Sequence, residues 1–160
     1  ADGIPPNQRL PSAEEAEREL VATEEFAAAA ATPMPPVAKQ VFLYNFRLRE
    51  KIDPEEYAGI FTLNVRRALF GLVPLRLDLR INARARAWSA RMKSSGEFKH
   101  MKLGDGVSGE NIAMGSTRGE DVILKQWWYS PGHHRNMMNR GFRRIGLGRA
   151  GTYWTQQFGR

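Results

Sequence analysis

Arg144-Ile145-Gly146-Leu147-Gly148 and Thr152-Tyr153-Trp154-Thr155-Gln156-Gln157-Phe158, separated by Arg149-Ala150-Gly151, each alternate in character at every second residue. A period of two on either side of a glycine turn marks a β-hairpin. In its second arm Tyr153, Thr155 and Gln157 share one face, while Trp154, Gln156 and Phe158 share the other. Much of the chain before it runs with helical periods. Helices followed by a hairpin predict an α+β fold in which helices pack on a mainly antiparallel sheet.

Immediately upstream, Ser130-Pro131-Gly132 closes one helix and opens a short second one, because serine caps and proline suits the first helical position. Met137 and Met138 on that short helix read as core filler. Thr117-Arg118-Gly119-Glu120 has the form of a capping box for the preceding helix, which carries Val122, Ile123, Leu124, Trp127 and Trp128. Before it Glu110 to Met114 reads as a short extended piece, and Glu97 to Ser108 has no period, with a turn at Gly104-Asp105-Gly106. Asp78 caps a helix to about Ser94 whose buried face is Ile81, Ala85, Trp88 and Met92. Its arginines, Arg80, Arg84, Arg86 and Arg91, lie largely off that face, as on any solvated helix. Leu72-Val73-Pro74-Leu75-Arg76-Leu77 is a bent connector with leucines for the core, and Asp53-Pro54-Glu55-Glu56 starts a helix that Gly71 ends.

The first fifty residues have a different composition. Residues 1-11 form a proline-rich lead-in, expected to be disordered or a docked arm. Ser12-Ala13-Glu14-Glu15 is a capping box for a helix running toward Ala31, and Thr32-Pro33-Met34-Pro35-Pro36 is a stiff linker. That helix is mostly alanine on its apolar side, so it needs a partner surface. Val37, Val41, Tyr44 and Leu48, widened by Phe42 and Phe46, mark the face of a further helix. The organisation expected is an N-terminal extension over 1-52 and a domain over 53-160. The extension is expected to cover the domain's own surface or to mediate a homodimer.

Cysteine is absent from the 160 residues, which excludes thiol catalysis, thiolate zinc sites and disulfides. No apolar run approaches the length of a membrane span. The net charge of +7 is uneven: residues 1-31 hold two basic and seven acidic groups, leaving a body of +12. A basic body is attracted to anionic surfaces, nucleic acid among them. No groove-reading helix or strand platform of stacked aromatics supports a nucleic-acid-binding domain further.

All three histidines, His100, His133 and His134, flank Ser108-Gly109-Glu110-Asn111. Three chemistries fit them. Converging His100 and His133 with Glu110 would supply the three ligands of an open zinc site, and Glu110 the base of a metal-assisted hydrolase. Ser108 or Ser130 with a histidine would supply a nucleophile, but neither lies in a Gly-x-Ser-x-Gly elbow, and Ser130 reads as a cap. In the third, Glu110 accepts backbone hydrogen bonds and a proton from His100, pinning loops at a sheet edge. His134, beside His133, is expected to face solvent.

Several landmarks then appear together and in order: Leu75-Arg76-Leu77-Asp78, Ala87-Trp88-Ser89-Ala90-Arg91-Met92, Phe98-Lys99-His100, Gly109-Glu110-Asn111-Ile112-Ala113, Trp127-Trp128-Tyr129-Ser130-Pro131-Gly132-His133-His134-Arg135-Asn136, Ile145-Gly146-Leu147-Gly148 and Tyr153-Trp154-Thr155-Gln156-Gln157-Phe158. From about Tyr57 to Gly159 the chain resembles a bacterial member of the CAP superfamily, the cysteine-rich secretory protein, antigen 5 and pathogenesis-related 1 group, also called SCP-like. The resemblance implies an α-β-α sandwich and a secreted or extracytoplasmic location. In members with the full cleft two histidines and two acids line it. His100 and Glu110 match two of the four, while Ser130 stands where a second acid often lies and Tyr153 where a second histidine often lies. Many bacterial members instead keep the Ser-Pro-Gly-His segment, whose histidine here is His133.

The function expected is a non-enzymatic module that meets an extracellular ligand, lipid or protein, through a cleft of His100, Glu110, Ser130, His133, Tyr153 and Gln156. The alternatives are the metal-assisted hydrolase, with zinc on His100, Glu110 and His133, and the nucleic-acid binder.

Overall fold

The hairpin is the middle of the sheet. In the computed structural model, which describes residues 10–31, 34 and 37–160, β3 (Arg144–Ala150) pairs antiparallel with β4 (Tyr153–Gly159), Ile145 opposite Phe158 and Gly148 opposite Thr155. Outside β4 lies β2 (Gly109–Met114), antiparallel, with Glu110 opposite Gln157. Outside β3 lies β1 (Arg76–Leu77), parallel, giving a four-stranded mixed sheet in the order β1-β3-β4-β2.

The alternation Ile145-Gly146-Leu147-Gly148 assigns the two faces. A Cβ on Gly146 would stand 2.4 Å from the backbone nitrogen of Asn82, and one on Gly148 2.0 Å from that of Arg86. The backbone of α5 (Leu79–Ser95) therefore lies directly on β3, and Ser89 Oγ donates to Gly148 O at 2.9 Å. On the other face Ile145, Leu147, Trp154 and Phe158 form the main core with Ile60 and Leu63 of α4 (Pro54–Leu69). Val122, Ile123 and Trp127 join them from a π-helical stretch, Val122–Trp127, which continues α6 (Gly119–Asp121). Met137 of α7 (Pro131–Met137) completes this side, fully buried as expected. Helices cover both faces, so the fold is an α-β-α sandwich. Burying side chains such as Trp154, Phe158 and Leu63 stabilises it by roughly 1.5–3 kcal/mol each.

Side chains close the free edges of the sheet, where unpaired backbone groups would otherwise be stranded or exposed. On β2 the carbonyls of Glu110, Ile112 and Met114 accept from Asn136 Nδ2 at 3.2 Å, Trp127 Nε1 at 3.0 Å and Gln126 Nε2 at 3.0 Å. On β3, beyond the short β1, Leu147 N donates to Asn82 Oδ1 at 2.8 Å and Arg149 N to Glu56 Oε2 at 2.9 Å. Glu56 is fully buried, and Asn82 Nδ2 and Arg86 Nε also donate to it, which ties α4 to α5. Asn45, in α3 (Ala38–Arg47), accepts from Leu77 N and donates to Leu75 O, both at 2.8 Å.

Before the sandwich come α1 (Ala13–Val21), α2 (Glu24–Ala30) and α3. Ala16, Leu20 and Phe26 pack with Ala38, Phe42, Phe46 and the α4 residue Ala68 in a second cluster. These three helices thus pack against α4. The ion pairs Glu17–Lys39 and Glu19–Arg49 at their surface add little.

Several expectations are corrected here. The Ser12 capping box forms, but the helix does not run through to Ala31: it breaks at Ala22-Thr23, where the Thr23 hydroxyl donates to Leu20 O and accepts from Phe26 N. The buried stripe of α3 is Ala38, Val41, Phe42, Asn45 and Phe46, with Val37 and Tyr44 exposed, because Asn45 takes a core position to complete β1. In α5 Ser89 faces the sheet while Trp88 is half-buried and donates from Nε1 to Lys99 O. Thr117 caps nothing: α6 begins at Gly119, whose N–H is taken by Glu55 Oε1 at 3.0 Å. Residues 1–9 of the lead-in, and Thr32, Pro33, Pro35 and Pro36 of the linker, lie outside the described residues. Among the described residues no helix is long and apolar enough to cross a membrane.

Candidate functional site

Glu110 and Asn111 are neighbours on the edge strand β2, so their side chains leave on opposite faces. That alternation organises the site.

On the α5 face, the Glu110 side chain is 2% exposed and its two oxygens meet three donors. Oε1 accepts from Met101 N at 2.9 Å and lies 2.9 Å from His100 Nδ1, while Oε2 accepts from Gln157 Nε2 at 2.7 Å. A carboxylate is an acceptor only, so Nδ1 is the protonated nitrogen of His100, and Nε2 is turned outward on a ring 60% exposed. Gln157 is itself held, because its Oε1 accepts from Arg84 Nη1 at 3.0 Å. Arg84 Nη2 and Trp88 Nε1 donate to the carbonyls of Lys102 and Lys99. The aperiodic segment 97–108 is therefore fastened at Lys99, His100, Met101 and Lys102 by the sheet and α5.

On the opposite face Asn111 is fully buried and holds α7. Its Nδ2 donates to His133 O at 3.1 Å and to Gln156 Oε1 at 3.0 Å, and its Oδ1 accepts from Asn136 Nδ2 at 2.9 Å. Ser130 occupies the N-cap position of α7 but makes no bond to its backbone amides; its hydroxyl pairs with His133 Nδ1 at 2.9 Å. Burial, and then the charge of nearby His100, hold the His133 pKa below its ordinary value of 6.5. His100 lies on the segment held to the α5 face of β2, and His133 on the helix held to the opposite face. His134 does not face solvent as expected: it is half-buried, edge-on to Trp128 at 4.3 Å, with Nδ1 3.0 Å from Trp128 O.

The expected cleft residues are only partly brought together. His100 and Glu110 touch, and Ser130 touches His133. Gln156 is fully buried beside Asn111, with Nε2 unpartnered among the described residues. Tyr153 is half-buried opposite Met114, four residues along β4 from Gln157 and so about 13 Å from the Glu110 pair. Gln157 and Arg84, absent from the expected set, complete it. The face alternation of the hairpin, which puts Gln157 with Tyr153, was the signal for Gln157.

Among the described residues no three His, Asp or Glu side chains stand together as a metal-holding group. Glu110 contacts His100 directly and has both oxygens engaged, so it orients that histidine and is not placed to share an ion with it.

Comparison with known proteins places this geometry. The chain is 39% identical over 111 residues to the uncharacterized protein YkwD of Bacillus subtilis strain 168, a match covering 59% of this chain and 43% of that protein. Its fold matches the crystal structure of an extracellular protein containing an SCP domain from Bacillus anthracis strain Ames, with a TM-score of 0.62, 25% identity and coverage of 80% of this chain and 44% of that one. A cysteine-rich secretory protein from Staphylococcus aureus Mu50 aligns with a TM-score of 0.49 at 13% identity over 66% of this chain and 38% of that one. The chain thus spans less than half the length of these relatives. The profile of the cysteine-rich secretory protein family, CAP, matches residues 60–158, and the chain belongs to that family.

Proposed function

We propose that the domain is a secreted, non-enzymatic binding module whose cleft between the His100 segment and α7 receives an extracellular ligand. The observation that carries this reading is the Glu110 carboxylate, 2% exposed and saturated by Met101 N–H, His100 and Gln157. A general base must reach the proton it removes. This carboxylate instead fixes a loop and sets the tautomer of a histidine. Location outside the cell is supported by the Bacillus anthracis structure, which is described as an extracellular protein. His100, His133 and Ser130 are the groups offered to a ligand. Tyr153 and Gln156 support the strand behind them.

A second reading is favoured by one feature: His100 and His133 are each oriented through Nδ1, by Glu110 and by Ser130, in the manner of metal-binding histidines. The test uses the purified protein with and without zinc against peptide and ester substrates. The binding module predicts no turnover above background and none lost in His100→Ala. Turnover that disappears in Glu110→Gln, in a variant that still folds, would contradict it.

A further inference from the structure

Beside His100, on the side away from α7, an open pocket of about 660 Å³ lies between α5 and the fastened segment. Its lining includes Arg84, Trp88, Arg91, Lys99, His100 and Lys102, against one acid, Asp105. Here Lys99 pairs with Glu97, but Arg84, Arg91 and Lys102 have no carboxylate within ion-pair distance among the described residues. Arg84, Trp88 and Arg91 follow one face of α5, the two arginines about two turns, or roughly 10 Å, apart. Arg84 is engaged, both Nη atoms donating to Gln157 Oε1 and Lys102 O, so the cations left to an anionic ligand are Lys102 and Arg91, whose Cζ lies 5.6 Å from the Trp88 ring centroid. The wall is rigid before any ligand arrives, because Trp88, Glu110 and Arg84 tie its backbone at Lys99, Met101 and Lys102.

We propose that this pocket binds an acidic polysaccharide, carboxylates meeting Lys102 and Arg91 and a sugar ring lying against Trp88 beside the Arg91 guanidinium. The proposal rests on the reading of the cleft as a binding surface, since His100 belongs to both. A single-stranded nucleic acid would need successive stacking platforms, and Trp88 is the one Trp, Tyr or Phe among the lining residues described.

The experiment is calorimetric titration of the full chain with a polygalacturonate oligomer, a neutral dextran of equal length and an oligothymidylate, at low and moderate salt. Polygalacturonate is expected to bind, more weakly as salt screens the cations, and more tightly than the other two. The Arg91→Glu/Lys102→Glu variant is expected to lose about tenfold or more in affinity. Arg18→Glu/Lys125→Glu, the same charge change at exposed residues that do not line the pocket, is expected to stay within about twofold; circular dichroism checks both folds. Equal losses in the two variants would reduce the effect to net charge and overturn the site. Tighter binding of oligothymidylate would overturn the polysaccharide assignment in favour of nucleic acid. Dextran binding that His133→Ala weakens, with no response to polygalacturonate, would overturn this proposal and leave the cleft reading standing.

Discussion

His100 Nδ1 lies 2.9 Å from Glu110 Oε1, yet the first side chain is 60% exposed and the second 2%. A buried acid that meets an exposed base transmits the order of the core to the surface. The same strand sends Asn111 the other way to hold α7. Two adjacent residues thus hold the His100 segment and α7 to opposite faces of one strand.

Glu110→Gln tests the donor arrangement. Three donors face the carboxylate, so an amide nitrogen placed there must confront one of them. Gln157 does not relieve this by flipping, because its Oε1 accepts from Arg84. The expected loss is about 1–3 kcal/mol, or roughly 2–4 °C in Tm per kcal/mol for a chain of this size, read by calorimetry.

Gly148→Ala and Gly132→Ala should diverge. At Gly148 the new Cβ meets the α5 backbone at 2.0 Å, and neither element has side-chain freedom to yield. Destabilisation of at least about 3 kcal/mol is expected from overpacking. At Gly132, in the first turn of α7, nothing among the described residues lies within 4 Å, and alanine should gain up to about 1 kcal/mol. Chemical denaturation of the two variants checks the contrast.

Asn45→Ala should cost more than Tyr44→Ala, although the pattern of large residues favours the tyrosine. Removing Asn45 strands the buried Leu77 N–H, at about 1–3 kcal/mol. Tyr44 is exposed and contributes a cation–π contact with Arg76, so less than about 1 kcal/mol is expected from its loss. Urea melts separate them.

Acidification should weaken the fold through His133. Its pKa is lowered by burial and by His100, so below 6.5 the unfolded chain takes up the proton more readily than the folded one. Stability therefore falls as pH drops from 6.5 toward the lower folded value and levels off beyond it. His133→Gln should flatten that part of the profile, which denaturation at a series of pH values measures.

Much of the fold was legible because it rests on periodicity and capping. The hairpin, the Asp53 and Asp78 caps and the leucine plugs at Leu72, Leu75 and Leu77 all stand where their chemistry put them. What the pattern hid were polar residues in core positions. Asn45, Glu56, Asn64, Asn82 and Ser89 read as solvent-facing in a binary pattern, yet each satisfies a backbone or side-chain group that the sheet leaves open. At the site, His100 and Glu110 were legible as a pair. Gln157 and Arg84 were not, because their roles depend on strand register and on the meeting of a helix with a loop distant in sequence.

The central claim is that Glu110 holds the His100 segment to the sheet. Amide hydrogen exchange at Met101, in the intact protein and in Glu110→Ala, tests it most directly. The predicted result is protection in the intact protein and exchange at least about tenfold faster in the variant, with the β2–β4 ladder still protected. Equal protection of Met101 in both proteins would contradict it.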